Sequence, residues 1–148
     1  MEYISIINSL LRFIEMSLRD DCNHREDGSF KYVPLDVQTF HNKMTEIMNP
    51  DVKTFLDVGC GIGDKCLIAE KIFGLEVTGI EIDSKLVEIA KKYFINQVIE
   101  IDAMNFKDYN KFDIIYTYTP YQDDKKQKLL VDLISSKKRE DAIFINVM

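Results

Sequence analysis

Residues 55 to 64 read FLDVGCGIGD, a short apolar and β-branched run that closes on Gly59, Gly61 and Gly63, with Asp57 two positions before the first glycine. Three glycines on alternate positions after a buried strand let the backbone turn sharply and approach a ligand closely, because no Cβ fills the intervening space. A small polar ligand is therefore expected against this loop.

Outward from the loop, the pattern alternates between strands and helices. A strand over 54–58 leads through the glycines into a helix over 64–73, followed by a strand over 76–80. Asp83 or Ser84 is placed to cap a helix running to Phe94, with Leu86, Val87, Ala90 and Tyr93 facing inward. Strands follow over 98–101 and 112–118, then a helix over 122–136 carrying Leu129, Leu130, Leu133 and Ile134, then a strand over 142–147. Residues 103–110 are too short and polar to read as a helix. Strands apolar on both alternating sets are buried on both faces, which predicts an α/β fold: a Rossmann-like three-layer sandwich, its sheet mainly parallel and flanked by helices on both faces. The sheet is expected to stop after its fifth strand, so that it has an open edge, borrows a partner or is a minimal variant.

Upstream, Ile4, Ile7, Leu11, Ile14 and Leu18 recur at helical spacing, and a second helix over 36–48 presents Val37, Phe40, Met44 and Ile47 on one side. Between them residues 19–31 are polar, hold Gly28 and are aperiodic, and read as a mobile, lid-like loop. Residues 1–50 are expected to form N-terminal helices belonging to the same domain as the core over 51–148.

The 148 residues suit one domain, and 46% hydrophobic and 30% charged content is that of a soluble globular protein without a membrane span. The apolar start carries Glu2, Arg12 and Glu15 and reads as an amphipathic helix, not a signal peptide. Three cysteines without CxxC spacing predict a reducing compartment, the cytoplasm. Cys60 and Cys66 read as small packing residues, and no metal site is expected, Cys22 and His24 included. A formal net charge of −6 argues against a partner gripped by its phosphates, and a protein or small molecule is favoured over nucleic acid.

The spacing of the loop separates ligand classes. A dinucleotide fingerprint GxGxxG would place Asp64 at its last glycine, where a carboxylate faces the pyrophosphate, and no GK[ST] closes a phosphate-binding P-loop. D-x-G-x-G-x-G suits a ligand with an ammonium and a sulfonium in place of phosphates.

On these residues, 52–147 resembles a class I S-adenosylmethionine-dependent methyltransferase. The resemblance implies that Asp57, Gly59, Cys60, Gly61 and Gly63 form the loop around the methionine part of the cofactor. It implies that Glu81, ending the second strand, accepts from both ribose hydroxyls, as two carboxylate oxygens allow. Asp102 would accept from the adenine amino group, Ala103 would offer its backbone amide to the ring, and Ile82 and Met104 would sandwich it. Singly, Glu81 reads as well as a solvated strand end and Asp102 as a helix cap.

The family's acceptor side follows the fourth strand, here FDIIYTYTPYQD over 112–123. Tyr118, Thr119, Pro120 and Tyr121 are expected to line the acceptor pocket, with Asp123 or Asp124 attracting a cationic substrate. Tyr118 and Thr119 stand where base- and glutamine-modifying relatives carry Asn or Asp and Pro, which removes the amide or carboxylate that holds a base nitrogen. Tyr116 and Tyr118 read equally as core-facing strand residues, and Lys125, Lys126 and Lys128 as a solvated helix face. A second resemblance, to small protein-lysine methyltransferases, rests on Tyr32-Val33-Pro34-Leu35 and on Tyr116 to Pro120, although Leu35 replaces the family's hydroxyl residue. It favours a protein lysine as acceptor. The alternatives are a non-catalytic binder of the same cofactor, including a subunit of a methyltransferase complex or of a homo- or hetero-oligomer, and a different Rossmann-type nucleotide binder.

Overall fold

A computed structural model describes residues 37–118 and 123–147. In chain order these form α1 (Val37–Ile47), β1 (Thr54–Val58), α2 (Asp64–Lys71), β2 (Glu76–Glu81), α3 (Ser84–Tyr93), β3 (Val98–Glu100), a 3-10 turn (Tyr109–Lys111), β4 (Ile114–Tyr118), α4 (Asp124–Lys137) and β5 (Ile143–Val147). The strands lie in the order β3-β2-β1-β4-β5, and every pairing is parallel. The chain crosses from one half of the sheet to the other between β3 and β4. Ligands of such sheets bind beyond the carboxyl ends of the strands at that reversal, here beside β1 and β4.

Strand alternation divides the core in two. Phe55, Val77, Ile114, Tyr116 and Ile145 pack against α1, α2 and α3 on one face. Leu56, Val58, Ile80 and Ile115 pack on the other, against Leu130 and Ile134 of α4 and an aromatic group of Phe106, Tyr109 and Phe112. Phe40 of α1 meets Phe55 and Tyr116 edge-on, at ring separations of 5.9 and 5.1 Å. Geometry of this kind adds about 0.5–1.5 kcal/mol per pair to the burial of the rings.

The expected Rossmann-like sandwich is thus present, with a parallel sheet between helical layers. Two inward-facing expectations need correction. Tyr93 is 51% exposed, because Phe94 and Ile95 just past the end of α3 fill the core there, while Lys92 lies over the Tyr93 ring. Leu129 is 59% exposed, since the buried stripe of α4 runs through Gln127, Leu130 and Ile134 at helical spacing. The expected helix over the first twenty residues, the loop over 19–31, and Tyr32 to Leu35 lie outside the described residues.

Helix caps follow the sequence. Asp83 caps α3 by accepting from the Lys85 and Leu86 amides at 2.9 and 3.3 Å, and Asp123 caps α4 through Lys125 and Lys126 at 2.8 and 3.4 Å. At the opposite end of the sheet, Asp113 accepts from the amides of Lys53 at 2.7 Å and Thr54 at 3.0 Å and from the guanidinium of Arg139. That carboxylate ties the start of β1 to the chain leading into β4 and to the turn before β5.

Candidate functional site

β1 delivers Asp57 one residue before its end, and Gly59, Gly61 and Gly63 all take positive φ, at 76°, 58° and 84°. L-residues rarely hold that conformation, so these glycines set the path of the loop. At Gly79 of β2 the need is space: a Cβ there would stand 2.7 Å from the Cys60 Sγ and 3.0 Å from its Cβ. The loop is therefore seated directly on β2. Cys60 and Cys66 are buried, as packing residues should be, and burial pushes both thiols up, away from the reactive thiolate.

Four amides of the loop, those of Gly59, Cys60, Gly61 and Gly63, are engaged within the protein. Gly59 and Cys60 both donate to the Ile80 carbonyl at 2.9 Å, Gly63 donates to the Cys60 carbonyl at 2.9 Å, and Gly61 donates to Oε1 of Glu81 at 2.9 Å. A phosphate cradle needs such amides pointing at the ligand. Here they hold the loop to the end of β2, and among the described residues three buried carboxylates, Asp57, Asp64 and Glu81, lie nearby against one buried cation, Lys65. The balance suits a cationic ligand and opposes a pyrophosphate.

Asp57 is 2% exposed, and its Oδ2 has no hydrogen-bond partner among the described residues. Burial pushes its carboxyl up to about 7, with Lys65 opposing and Asp64 and Glu81 adding to the rise. A buried, unpartnered carboxylate oxygen is costly unless something fills the position, and an ammonium group satisfies both its charge and its lone pairs.

Glu81 ends β2. Its Oε2 accepts from the Asp83 amide at 2.9 Å while Oε1 holds Gly61, so this carboxylate orders the glycine loop in addition to the ribose role expected of it. Ile82 follows, half-buried. Beyond β3, Asp102 accepts from the Met104 amide at 3.0 Å, folding 102–105 into a tight turn closed by the Asn105 amide on the Asp102 carbonyl. The hydroxyl of Tyr109 donates to the Ala103 carbonyl at 2.7 Å and pins that turn from below. Sequence reading missed Tyr109. An aromatic residue in an otherwise polar stretch was the available signal.

The structure thus brings Asp57, the glycine loop, Glu81, Ile82, Asp102, Ala103 and Met104 to the carboxyl ends of three adjacent strands. On the acceptor side, Tyr116 is a core residue, 1% exposed, whereas Tyr118 at the end of β4 is only partly buried. Thr119, Pro120 and Tyr121 lie outside the described residues. Asp123 is exposed but one of its oxygens caps α4, and Asp124 is exposed in that helix's first turn. Lys125 and Lys128 are exposed and Lys126 partly so, as a solvated face predicts. Among the described residues no group of three or more His, Cys, Asp or Glu is arranged to hold a metal, and no helix is long and apolar enough to cross a membrane.

Comparison with known proteins agrees with this geometry. A family model described as a methyltransferase domain matches residues 55–137. A type II methyltransferase, M.CvrRI, from Paramecium bursaria Chlorella virus XZ-6E is 27% identical over 109 residues, covering 73% of this chain and 28% of the relative. The chain thus spans little more than a quarter of that protein's length. Among solved structures, an RNA methyltransferase from Salinibacter ruber in complex with S-adenosyl-L-homocysteine superposes with a TM-score of 0.60 at 20% identity, over 72% of each chain. The glycopeptide N-methyltransferase MtfA complexed with S-adenosylmethionine superposes with a TM-score of 0.61 at 14% identity, over 73% of this chain and 52% of the other. At these identities the superpositions establish the shared fold.

Proposed function

The chain belongs to the methyltransferase domain family with the class I Rossmann-like fold, and on that premise we propose that it binds S-adenosylmethionine and transfers its methyl group to an amine, a protein lysine ahead of other acceptors. The observation that carries the reading is the buried, unpartnered Oδ2 of Asp57 beneath a loop whose three glycine amides are already engaged. Such a site accepts an ammonium and rejects a phosphate. The methyltransferases of similar fold that were solved with this cofactor or its demethylated product support the choice of ligand.

The residues fit the cofactor part by part. Asp57 would receive the ammonium of the amino-acid end, with Gly59 to Gly63, Cys60 included, wrapping that end. Glu81, which also holds the Gly61 and Asp83 amides, would accept from the ribose hydroxyls. Asp102 and the Ala103 amide would meet the edge of the adenine, and Ile82 and Met104 its faces. When bound, S-adenosylmethionine supplies an electrophilic methyl on a sulfonium with a good leaving group.

The protein's part is then to align an acceptor and exclude water. Tyr118, at the end of β4, would line the acceptor side, the role that the sequence also suggests for Thr119, Pro120 and Tyr121. A lysine acceptor must lose a proton before it attacks, and an apolar aromatic wall lowers its affinity for that proton by desolvation. Lysine is favoured by the aromatic segment after β4, by the absence of an Asn or Asp at Tyr118 to hold a base nitrogen, and by the acidic balance of the chain. The cytoplasm is the compartment proposed for this chemistry.

Titration of the full chain with S-adenosylmethionine, followed by transfer of a radiolabelled methyl group to protein, RNA and small-molecule pools, tests the proposal. Label in protein, on lysine, and its reduction in Tyr118→Phe are expected. Absence of cofactor binding refutes the reading, and binding without transfer to any pool favours the non-catalytic alternative.

A further inference from the structure

Lys65 lies in the first turn of α2, yet only 6% of it is exposed. Its ammonium lies 3.2 Å from Oδ2 and 3.3 Å from Oδ1 of Asp64, whose side chain is 1% exposed. Burying a cation is unfavourable unless an anion compensates it, so a lysine held in this position calls for a role.

Asp57 supplies the context. It is the second buried carboxylate on that side of β1. Burial is the largest influence on its ionisation, and among charged groups Lys65 acts on it most strongly, in the ionising direction, against Asp64 and Glu81. Among the described residues the other titratable neighbours of Asp57 are Tyr116 on β4 and the thiols of Cys60 and Cys66, none of them cationic. Without Lys65, no cation among these neighbours opposes burial, Asp64 and Glu81 at Asp57, and the Asp57 carboxyl rises further. Oδ2 of Asp64 and Oδ2 of Asp57 both lack a hydrogen bond among the described residues, and what separates the two acids is the Lys65 ammonium set against Asp64.

We infer that Lys65 is a specificity-determining residue of the pocket: by pairing with Asp64 it leaves Asp57 as the acceptor for the ammonium of an amino-acid tail, selecting adenosyl ligands that carry the tail over those that end at sulfur. The inference rests on the cofactor reading above. It assigns Lys65 an action through Asp64 and Asp57, without contact to the reacting atoms.

The test compares S-adenosylmethionine with methylthioadenosine, which has the same nucleoside and sulfur but lacks the amino-acid tail, by calorimetric titration of the full chain. In Lys65→Met, affinity for S-adenosylmethionine at pH 7 is expected to fall on the order of tenfold and to recover as pH rises, since one pKa unit corresponds to a factor of ten. Methylthioadenosine affinity stays within about twofold, and Lys65→Arg restores the preference. Should Lys65→Met fail to fold, Asp64→Asn carries the same test: Lys65 then turns to Asp57 and occupies it, again weakening only the tailed ligand. Unchanged S-adenosylmethionine affinity in a folded variant, or equal loss of both ligands, overturns the inference while leaving the cofactor reading intact. A wild-type chain that binds neither ligand overturns both.

Discussion

The backbone amide of Gly61 donates to Oε1 of Glu81 across 2.9 Å, joining the middle glycine of the loop to the last residue of the neighbouring strand. The same carboxylate accepts from the Asp83 amide through Oε2, so one side chain fixes both the loop after β1 and the start of α3. Glu81→Gln keeps the shape but turns one acceptor into a donor that faces an N–H. We expect a stability loss of about 1–2 kcal/mol by denaturant titration and weaker S-adenosylmethionine binding by calorimetry. Unchanged values for both would mean that water replaces the carboxylate at no cost.

Gly79→Ala tests how closely the loop sits on β2. The added Cβ meets Cys60 Sγ at 2.7 Å, and overpacking of this kind costs about 1–3 kcal/mol. Cys60→Ala in the same chain removes the closer contact and leaves the one at 3.0 Å, so partial recovery of the melting temperature is expected. A single variant as stable as the wild type contradicts the close seating.

Stability should carry a signature of Asp57. Burial raises its carboxyl from 3.8 to about 7, so between these values the folded chain binds a proton that the unfolded chain releases. The contribution is fully present below about pH 4 and is lost as pH rises through about 7, on the order of 4 kcal/mol for the full shift. Asp57→Asn lacks this dependence, and urea titrations at pH 5 and pH 8 should show its advantage over wild type growing toward pH 8. Cofactor binding runs the opposite way, since an ammonium needs the ionised form: wild-type affinity rises with pH through about 7. A flat advantage for the variant, or a flat affinity for the wild type, argues against a protonated Asp57.

Asp113 behaves in the reverse sense at the other end of the sheet. Burial works to raise its pKa, but hydrogen bonds from Arg139 and from the amides of Lys53 and Thr54 outweigh that and lower it from 3.8 to about 2. Its stabilisation is present above about pH 4 and lost as pH falls toward 2. Asp113→Asn should lower stability by about 1–3 kcal/mol at pH 7 and blunt the acid transition seen by circular dichroism. Equal acid transitions in the two proteins would refute this assignment.

Much of the site was legible in the chain because its parts follow strands in order. Asp57 and the glycines after β1, Glu81 after β2 and Asp102 after β3 are each local signals, and a parallel sheet places the ends of such strands along one edge. Asp83 as a cap and Val37, Phe40 and Met44 as a buried stripe were equally local. Tyr93 and Leu129 misled because helical spacing leaves the phase of a stripe open at its margins, and neighbours such as Phe94 and Leu130 decide which side chain enters the core. Tyr109 went unread because its role, holding the Ala103 carbonyl, depends on a turn that forms only in the folded chain.

By itself the sequence determined the alternation of elements, the glycine loop and the acidic residues around it, since hydrophobic period, φ preference and charge are properties of neighbouring residues. Only the tertiary structure decided that the loop amides are engaged by Ile80 and Glu81, that Asp57 keeps an unpartnered oxygen among the described residues, and that Lys65 is drawn inside to Asp64. Those outcomes depend on which groups are brought together away from water. There a charge is costly unless another meets it, and Lys65 meets Asp64.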